Sequence, residues 1–395
     1  MNTISQAVIL AGGQGTRLRP LTDTIPKPLI HFHGKPFAQY LIELLKKNGV
    51  RDIVFLTGYL GEQFPAVFGD GSQFGLRIRY NHTPLEDDTG TRVRKARHLF
   101  DDCFLLLYGD NYWPLDLAKL EAFHREHKVP LTVTVYERPH SEAKKNNVLV
   151  DSDGFVTVYD KKRETPGLNG VDIGFFIVER DALDLLPQEN ALFETSVMLP
   201  LIKERKLAGF PTKHPYWGLT DAERLPGVSR ALDPKRKVLF LDRDGVINKK
   251  PPKAEYVKTW EEFEFLPGAS DALYALTAKG YELYIISNQA GIARDAMTSD
   301  GLEDIHHRMR AELEKLGVTI AGIYVCPHGW DEGCECRKPK PGMLFQTARE
   351  HDIDLTRAVF IGDDERDGEA AAAAGCSYIM VSTRHPLSHA AAALS

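Results

Sequence analysis

Short apolar strands and helical stretches alternate through this chain in two separate runs, and that repeated alternation limits the possible folds more than any other feature. The first run places strands at Ala7–Leu10, Ile53–Leu56, Phe104–Leu107, Leu131–Val135 and Ile173–Val178, with helical stretches such as Phe37–Lys47 and Leu117–His127 between them. Alternation of this kind predicts a mainly parallel sheet. It ends near Leu219, and Asp221–Lys237, with Pro226, Gly227, Pro234 and several charges, reads as connecting chain. The pattern then restarts with strand Val238–Leu241, helix Ala269–Lys279, strand Glu282–Ile286 and helix Gly301–Leu316. Strand Ile323–Cys326, helix Gly342–His351, strand Ala358–Ile361 and helix Gly368–Ala374 complete it. The expected fold is α/β with two doubly wound domains, 1–225 and 237–395, joined by a linker at 226–236. A chain of 395 residues is too long for one ordinary core, which agrees with that division.

A net charge of -6 gives no electrostatic reason to bind nucleic acid or an anionic membrane, and no basic patch with interleaved aromatics appears. No segment reaches the ~18 apolar residues of a membrane span, and the first strand begins without a signal-peptide pattern, so a cytosolic chain is expected. Five cysteines in so long a chain do not make a disulfide framework. Three of them, Cys326, Cys334 and Cys336, crowd together near His328. Two close pairs of soft and imidazole ligands on one loop can close a tetrahedral site, and zinc is the usual occupant of a Cys₃His set.

The second run carries its chemistry just after its strands. Asp242 and Asp244 lie two residues apart at the mouth of strand Val238–Leu241, where alternate side chains point the same way. One can attack phosphorus while the other handles the leaving-group proton. Ser287 and Asn288, Arg337 and Lys338, and Asp363 follow the later strands in order. Phosphoryl transfer needs a nucleophile, a divalent cation and groups that hold the phosphate in line. Asp242 suits the nucleophile, Asp244 the acid and base, and Asp363 a further magnesium ligand beside them. Ser287, Asn288 and Lys338 suit a phosphate clamp, while Arg294 and Arg337, each adjoining one of these stretches, suit distal phosphate or sugar contacts.

Taken together, Phe240–Asn248, Ser287–Arg294 and Cys336–Met343 resemble the haloacid dehalogenase (HAD) superfamily, which works through an aspartyl-phosphate. Within it they are similar to the heptose 1,7-bisphosphate phosphatases, with the histidinol-phosphate phosphatases next. The resemblance implies magnesium at Asp242, Asp244 and Asp363, and a structural zinc at Cys326, His328, Cys334 and Cys336. One departure stands out: where heptose phosphatases often carry a lysine after Gly362-Asp363, this chain has Asp364 and then Asp367.

In the first run, Leu10, Ala11, Gly12, Gly13, Gly15 and Thr16 follow directly on the first strand. The glycines let backbone amides approach a phosphate chain, and Arg17 adds a fixed fork of donors. Lys27 sits in a stiff Pro26-Lys27-Pro28 turn, and Asp110 ends an apolar strand where a magnesium carboxylate fits. These stretches together resemble the sugar-1-phosphate nucleotidyltransferases over about 6–225. That resemblance implies transfer from a nucleoside triphosphate to a sugar 1-phosphate, with Arg17 on the departing pyrophosphate, Lys27 on the reacting phosphates and Asp110 on magnesium. It makes Asp221 the candidate second magnesium carboxylate, with Gly218 at the alternative position, and Asp172 a sugar contact. Gly90 and Thr91 correspond to the strip that usually meets the base, but the next glycine pair is lost, which leaves GTP, CTP and dTTP open.

Two activities on one chain imply consecutive steps. The second domain is expected to make a heptose 1-phosphate from the bisphosphate, and the first to load it onto a nucleotide, with GTP favoured and sugar phosphates and nucleotides as the partners. Another sugar or polyol phosphate remains open, as does a first domain reduced to nucleotide binding.

Overall fold

The computed structural model describes residues 4–137, 145–252 and 255–394. The chain forms two compact units, Met1–Leu232 and Asp233–Ser395. Among the described residues no helix is long and apolar enough to cross a membrane.

The main sheet of the first unit has seven strands. From one edge to the other they are Leu207–Thr212, Leu131–Tyr136, Val171–Glu179, Cys103–Tyr108, Gln6–Ala11, Asp52–Thr57 and Arg77–His82. Only Val171–Glu179 runs against its neighbours. Strand alternation feeds two cores: Ala7, Ile9, Ile53, Phe55, Leu105 and Leu107 face one, while Val8, Leu10, Val54, Leu56, Phe104 and Leu106 face the other. A sheet buried on both faces explains why its strands read as unbroken apolar runs. Helix Phe37–Lys47 lays Phe37, Ala38, Leu41, Ile42 and Leu45 on the first core and ends on Lys46 and Lys47, which suit the negative end of its dipole.

The stretch read as a linker is largely structured. Leu225–Leu232 forms a helix whose Val228, Ala231 and Leu232, at helical spacing, bury in the first core. Pro226 is tolerated there because the first turn of a helix has no intrahelical use for its missing N–H. The connection proper is therefore a short turn between Asp233 and the next strand.

In the second unit five strands, all parallel, stand in the order Ile320–Cys326, Tyr281–Asn288, Lys237–Leu241, Val359–Gly362 and Ser377–Met380. Leu239, Leu241, Leu283 and Ile285 face one core, and Val238, Phe240, Tyr284 and Ile286 the other. Helix Ser299–Lys315 is capped by Thr298, whose hydroxyl accepts from the Gly301 N–H at 3.0 Å, and buries Leu302, Ile305, Met309 and Leu313. Helix Glu365–Ala374 starts on a capping box made by Asp364 and Asp367. With every strand parallel, all carboxyl ends share one edge, where ligands of doubly wound sheets collect.

Candidate active sites

At that edge of the second unit, the Asp242 N–H is held by the Ile361 carbonyl at 2.9 Å, directly beyond strand Lys237–Leu241. Lys338 enters from the loop before helix Gly342–His351 and is buried. Its Nζ lies 2.9 Å from Asp242 Oδ1, 2.7 Å from Asp367 Oδ1 and 2.8 Å from the Ile286 carbonyl. Burial pushes the Asp242 carboxyl up, against the pull of Lys338. Burial also works against the Lys338 ammonium, but Asp242 and Asp367 outweigh it and hold its pKa above the usual lysine value. The lysine is therefore a fixed cation beside the Asp242 carboxylate, suited to neutralising phosphate oxygens.

Asp242, Asp363 and Asp367 bring one carboxylate oxygen each to within 4.8 Å of one another. Asp363 Oδ1 is buried and has no hydrogen-bond partner among the described residues, while its Oδ2 accepts from Lys250 Nζ at 2.7 Å. An orphaned buried acceptor among hard oxygen donors fits a magnesium ion. Gly245 makes the close approach possible: its φ is +92°, and a Cβ there would stand 2.2 Å from Asp363 Oδ2.

Asp244, expected as the third carboxylate, has its side chain engaged by neighbouring donors. Its oxygens accept from Arg243 Nη2 at 2.9 and 3.0 Å, from Asn248 Nδ2 at 2.8 Å and from Gln289 Nε2 at 2.9 Å. Arg243 has no exposed surface and needs a counter-charge, which the adjacent carboxylate supplies. Burial opposes the Asp244 anion, but Arg243 and these hydrogen bonds prevail and its pKa is lowered. Asp367 stands with Asp242 and Asp363 in the carboxylate cluster, which the Gly-Asp-Asp-x-x-Asp spacing could have signalled. Sequence reading also missed Lys250, whose Nζ lies 2.7 Å from Asp363 and 3.6 Å from Asp364. It brings a cation from another loop to the place where the lysine after Asp363 is lacking.

Asn288 acts on the lysine rather than on open space: its amide donates to the Lys338 carbonyl at 3.0 Å and accepts from the Lys338 N–H at 3.1 Å. Ser287 is buried, its hydroxyl accepting from Gln289 Nε2 at 2.9 Å. Both still line a cleft of about 660 Å³ that also exposes Asp242, Asp244, Lys338, Arg337, Tyr256 and Trp330. Arg294 lies 3.7 Å from the Trp330 ring centroid and donates to the Tyr256 hydroxyl at 3.3 Å, so a cation flanks the wall of this cleft. Arg337 Nη1 donates to the His328 carbonyl at 3.2 Å.

Cys326, His328, Cys334 and Cys336 gather as expected. Sulfur and Nδ1 atoms stand 3.2 to 3.6 Å apart in five of their pairings. Zinc bonds of about 2.3 Å to sulfur and about 2.0 Å to nitrogen set tetrahedral edges of roughly 3.5–3.8 Å. All four cysteine and histidine donors therefore suit one metal ion, and the thiols are free of disulfides.

In the first unit the glycine loop opens a cleft of about 470 Å³ lined by Leu10, Ala11, Gly12, Gly13, Gly15, Lys27, Asp88, Thr89, Tyr108 and Asp110. Lys27 Nζ pairs with Asp110 Oδ2 at 2.6 Å across it. Thr16 and Arg17 lie in the turn just after Gly15, and Arg17 is exposed. Gly90 and Thr91 turn away from the cleft: the Thr91 N–H donates to the Ala191 carbonyl at 3.1 Å, and Thr91 Oγ1 accepts from the Ala191 N–H at 2.9 Å. Helix Thr89–Ala96 needs that packing against 191–193, so Asp88, Thr89 and Arg92 face the cleft instead.

Arg92 was not anticipated. Buried beneath the glycine loop, it donates to the carbonyls of Thr57, Pro84 and Leu85 at 3.0–3.2 Å. A Cβ on Gly12 would stand 2.6 Å from its guanidinium carbon, so that glycine serves the arginine as well as any phosphate. Asp172 is half-buried, with Oδ1 accepting from the Gly174 N–H at 2.8 Å, and desolvation pushes its pKa up to about 7. Asp221 caps its own turn, accepting from the Arg224 N–H at 3.2 Å. Its loop is tied to the other candidate by the Leu219 N–H, which donates to the Asp110 carbonyl at 2.8 Å. Gly218 packs against Asn111 Oδ1, 2.6 Å from where its Cβ would be.

Two phosphate-handling enzymes share this chain, a nucleotidyltransferase and a HAD-type phosphatase. The nucleotidyl transferase family model matches residues 6–218 and the HAD-hydrolase-like model residues 335–390. The chain is 45% identical over 147 residues to the D-glycero-beta-D-manno-heptose-1,7-bisphosphate 7-phosphatase of Pseudomonas putida, covering 37% of this chain and 83% of the relative. It is 38% identical over 149 residues to the D-glycero-alpha-D-manno-heptose-1,7-bisphosphate 7-phosphatase of Mycobacterium bovis, covering 36% of this chain and 78% of the relative. A solved putative glucose-1-phosphate thymidylyltransferase from Bacillus anthracis, in complex with a sucrose, shares the fold over 57% of this chain and 93% of its own, with a TM-score of 0.51 and 18% identity. The chain thus belongs both to the nucleotidyl transferase family and to the heptose-1,7-bisphosphate 7-phosphatases.

Proposed function

We propose that this enzyme performs two consecutive steps of nucleotide-activated heptose synthesis. The second unit removes the 7-phosphate from D-glycero-D-manno-heptose 1,7-bisphosphate, and the first transfers a nucleotidyl group, GTP favoured, to the heptose 1-phosphate. What carries the reading is the pairing itself: relatives of the chain are 7-phosphatases, whose reaction leaves a sugar 1-phosphate, and a nucleotidyltransferase needs that kind of acceptor.

In the phosphatase step an Asp242 oxygen attacks phosphorus and the bond to the C7 oxygen breaks. Water then attacks the aspartyl-phosphate, releasing inorganic phosphate and restoring Asp242. Asp244, held as an anion by Arg243, suits the base half of its role, taking the proton of that water. For the acid half its carboxyl must turn out of the Arg243 fork. Lys338 neutralises phosphate oxygens, and Arg294 and Arg337 receive the distal phosphate or the sugar. Asp242, Asp363 and Asp367 would hold magnesium, which supplies charge neutralisation there. Zinc in the Cys₃His loop would fix Arg337 and Lys338, two residues beyond Cys336 at most.

In the transfer step an oxygen of the sugar 1-phosphate attacks the α-phosphorus and pyrophosphate leaves. Backbone amides of the glycine loop and Arg17 hold the triphosphate, Lys27 the reacting phosphates, and Asp110, with Asp221 from the neighbouring loop, a magnesium ion; Asp172 meets the sugar. Guanine offers adjacent N1–H and N2–H₂ donors, and the Asp87 and Asp88 carboxylates at the cleft supply acceptors.

The test is a coupled assay with each anomer of the bisphosphate, magnesium and GTP, CTP or dTTP. Wild type should form an NDP-heptose, Asp242→Asn almost none, and added heptose 1-phosphate should restore formation by that variant. Efficient formation from the bisphosphate by Asp242→Asn would overturn the order of steps. Failure with every heptose phosphate, alongside turnover of another sugar phosphate, would overturn the substrate.

A further inference from the structure

The first unit carries a second group of metal-type donors at the opposite end of its sheet. Cys103 opens strand Cys103–Tyr108, Glu179 closes the antiparallel neighbour Val171–Glu179, and the two residues are register partners. His124 reaches them from helix Leu117–His127. Cys103 Sγ, a Glu179 oxygen and a His124 nitrogen all lie within 4.8 Å of one another, and His124 is 4% exposed. Asp110 lies beyond the far end of the same strand, about 20 Å along it at 3.3 Å per residue. This cluster is therefore separate from the nucleotide cleft.

We propose that Cys103, His124 and Glu179 form a binding site for a divalent cation of the zinc class. Thiolate, imidazole and carboxylate are the donor types that zinc and cobalt accept, and three protein ligands leave a fourth position for water or an exogenous donor. A cleft of about 800 Å³ opens onto that position. Its wall carries Asp101, Asp102, Glu121 and Glu179 against two arginines, and both arginines are already paired, Arg125 with Glu121 and Arg180 with Asp102. The local field thus favours a cation.

The histidine is oriented for this purpose. Its Nδ1 lies 2.8 Å from Thr132 Oγ1, a buried hydroxyl that fixes the ring as an outer partner fixes a metal ligand. Nε2 then faces Glu179 Oε1 at 3.2 Å. When Nδ1–H donates to Thr132, Nε2 presents a lone pair to a carboxylate, an arrangement that a shared cation turns from repulsion into ligation. The alternative is a metal-free triad in which Thr132 donates to Nδ1 and Nε2–H donates to Glu179.

Cobalt binding to the full chain distinguishes the two. In a Cys334→Ser/Cys336→Ser background, which disables the Cys₃His loop, titration with Co²⁺ in excess magnesium, which occupies the carboxylate sites, should produce thiolate-to-cobalt charge-transfer absorption that saturates at about one equivalent. Cys103→Ser should abolish that absorption, and His124→Gln should weaken binding by roughly 10-fold or more. Should the background variant fail to fold, the wild-type chain should hold two equivalents of zinc and Cys103→Ser one. Equal metal content and no loss of absorption on Cys103→Ser would overturn the site and leave a hydrogen-bonded triad. Because neither measurement follows catalysis, the result stands apart from that of the coupled assay.

Discussion

The two candidate clefts, one in each phosphate-handling unit, carry different amounts of prebuilt charge. In the second unit Lys338 is buried between Asp242 and Asp367, Arg243 is buried on Asp244, and Asn288 fixes the lysine backbone. In the first unit Arg17 is exposed and the central ion pair is Lys27 with a partly open Asp110. A covalent phosphatase needs its nucleophile and cation aligned before substrate arrives, because the attacking atom belongs to the protein. A nucleotidyltransferase joins two substrates, so much of the charge to be organised enters with them. The buried cluster is therefore expected to be intolerant of single changes and the open cleft more graded.

The largest effect should come from Asp242→Asn. Replacing the attacking carboxylate by a far less nucleophilic amide should lower phosphate release by about 10³-fold or more. Nucleotidyl transfer from supplied sugar 1-phosphate should stay within a few-fold. Assaying phosphate and pyrophosphate on the same preparation checks this, and parallel loss of both in a folded variant would break the two-site comparison.

Lys27→Ala and Asp110→Ala should each lower pyrophosphate formation by about 10²-fold, the scale for removing one preorganised charge that faces the transition state. Phosphate release should be unaffected. Wild-type transfer by either variant would place the reacting phosphates away from the Lys27–Asp110 pair.

How much of this was readable differs by element. Helices Phe37–Lys47, Leu117–His127 and Gly342–His351 show their bounds in the sequence because one apolar face and its end signals coincide. Strands Arg77–His82 and Leu207–Thr212 do not, since both lie at sheet edges where Arg77 and Arg79, or Gly209 and Pro211, interrupt the apolar pattern. The zinc-type loop was legible because all four donors are close in sequence. Arg92 was not: an arginine in a helix reads as solvated, and its burial depends on Gly12 and Gly58, far away along the chain. Asp244 and Asp367 show the same limit, for spacing put both at the site while the buried Arg243 decided which joins the carboxylate cluster.

A smaller effect should follow from Cys334→Ser. The variant should lose one equivalent of zinc and about 10-fold in phosphatase activity, because the loop that carries Arg337 and Lys338 loosens while Asp242 stays in place. Elemental analysis with a phosphate-release assay checks both. Full activity without the metal would mean that Asn288 alone holds the lysine.

The smallest change sharpens the comparison from the first unit, where Asp172 is a half-buried carboxyl whose contacts among the described residues include no lysine like Lys338. Its folded pKa of about 7 lies well above the ~3.9 of an unfolded chain. Between those values the native state keeps a proton that the unfolded state releases, so stability falls as pH rises from about 4 to about 7. Above the folded value the loss is complete, and three units correspond to roughly 4 kcal/mol as an upper bound. Asp172→Asn removes the ionisation but keeps an oxygen able to accept from the Gly174 N–H. Thermal unfolding of the first unit's transition should therefore rise by several degrees at pH 8, by about a third as much at pH 5, and lose much of its slope between them. An unchanged slope would mean that Asp172 is already satisfied as an anion, and the contrast between a charge-compensated phosphatase site and an uncompensated transferase pocket would fail.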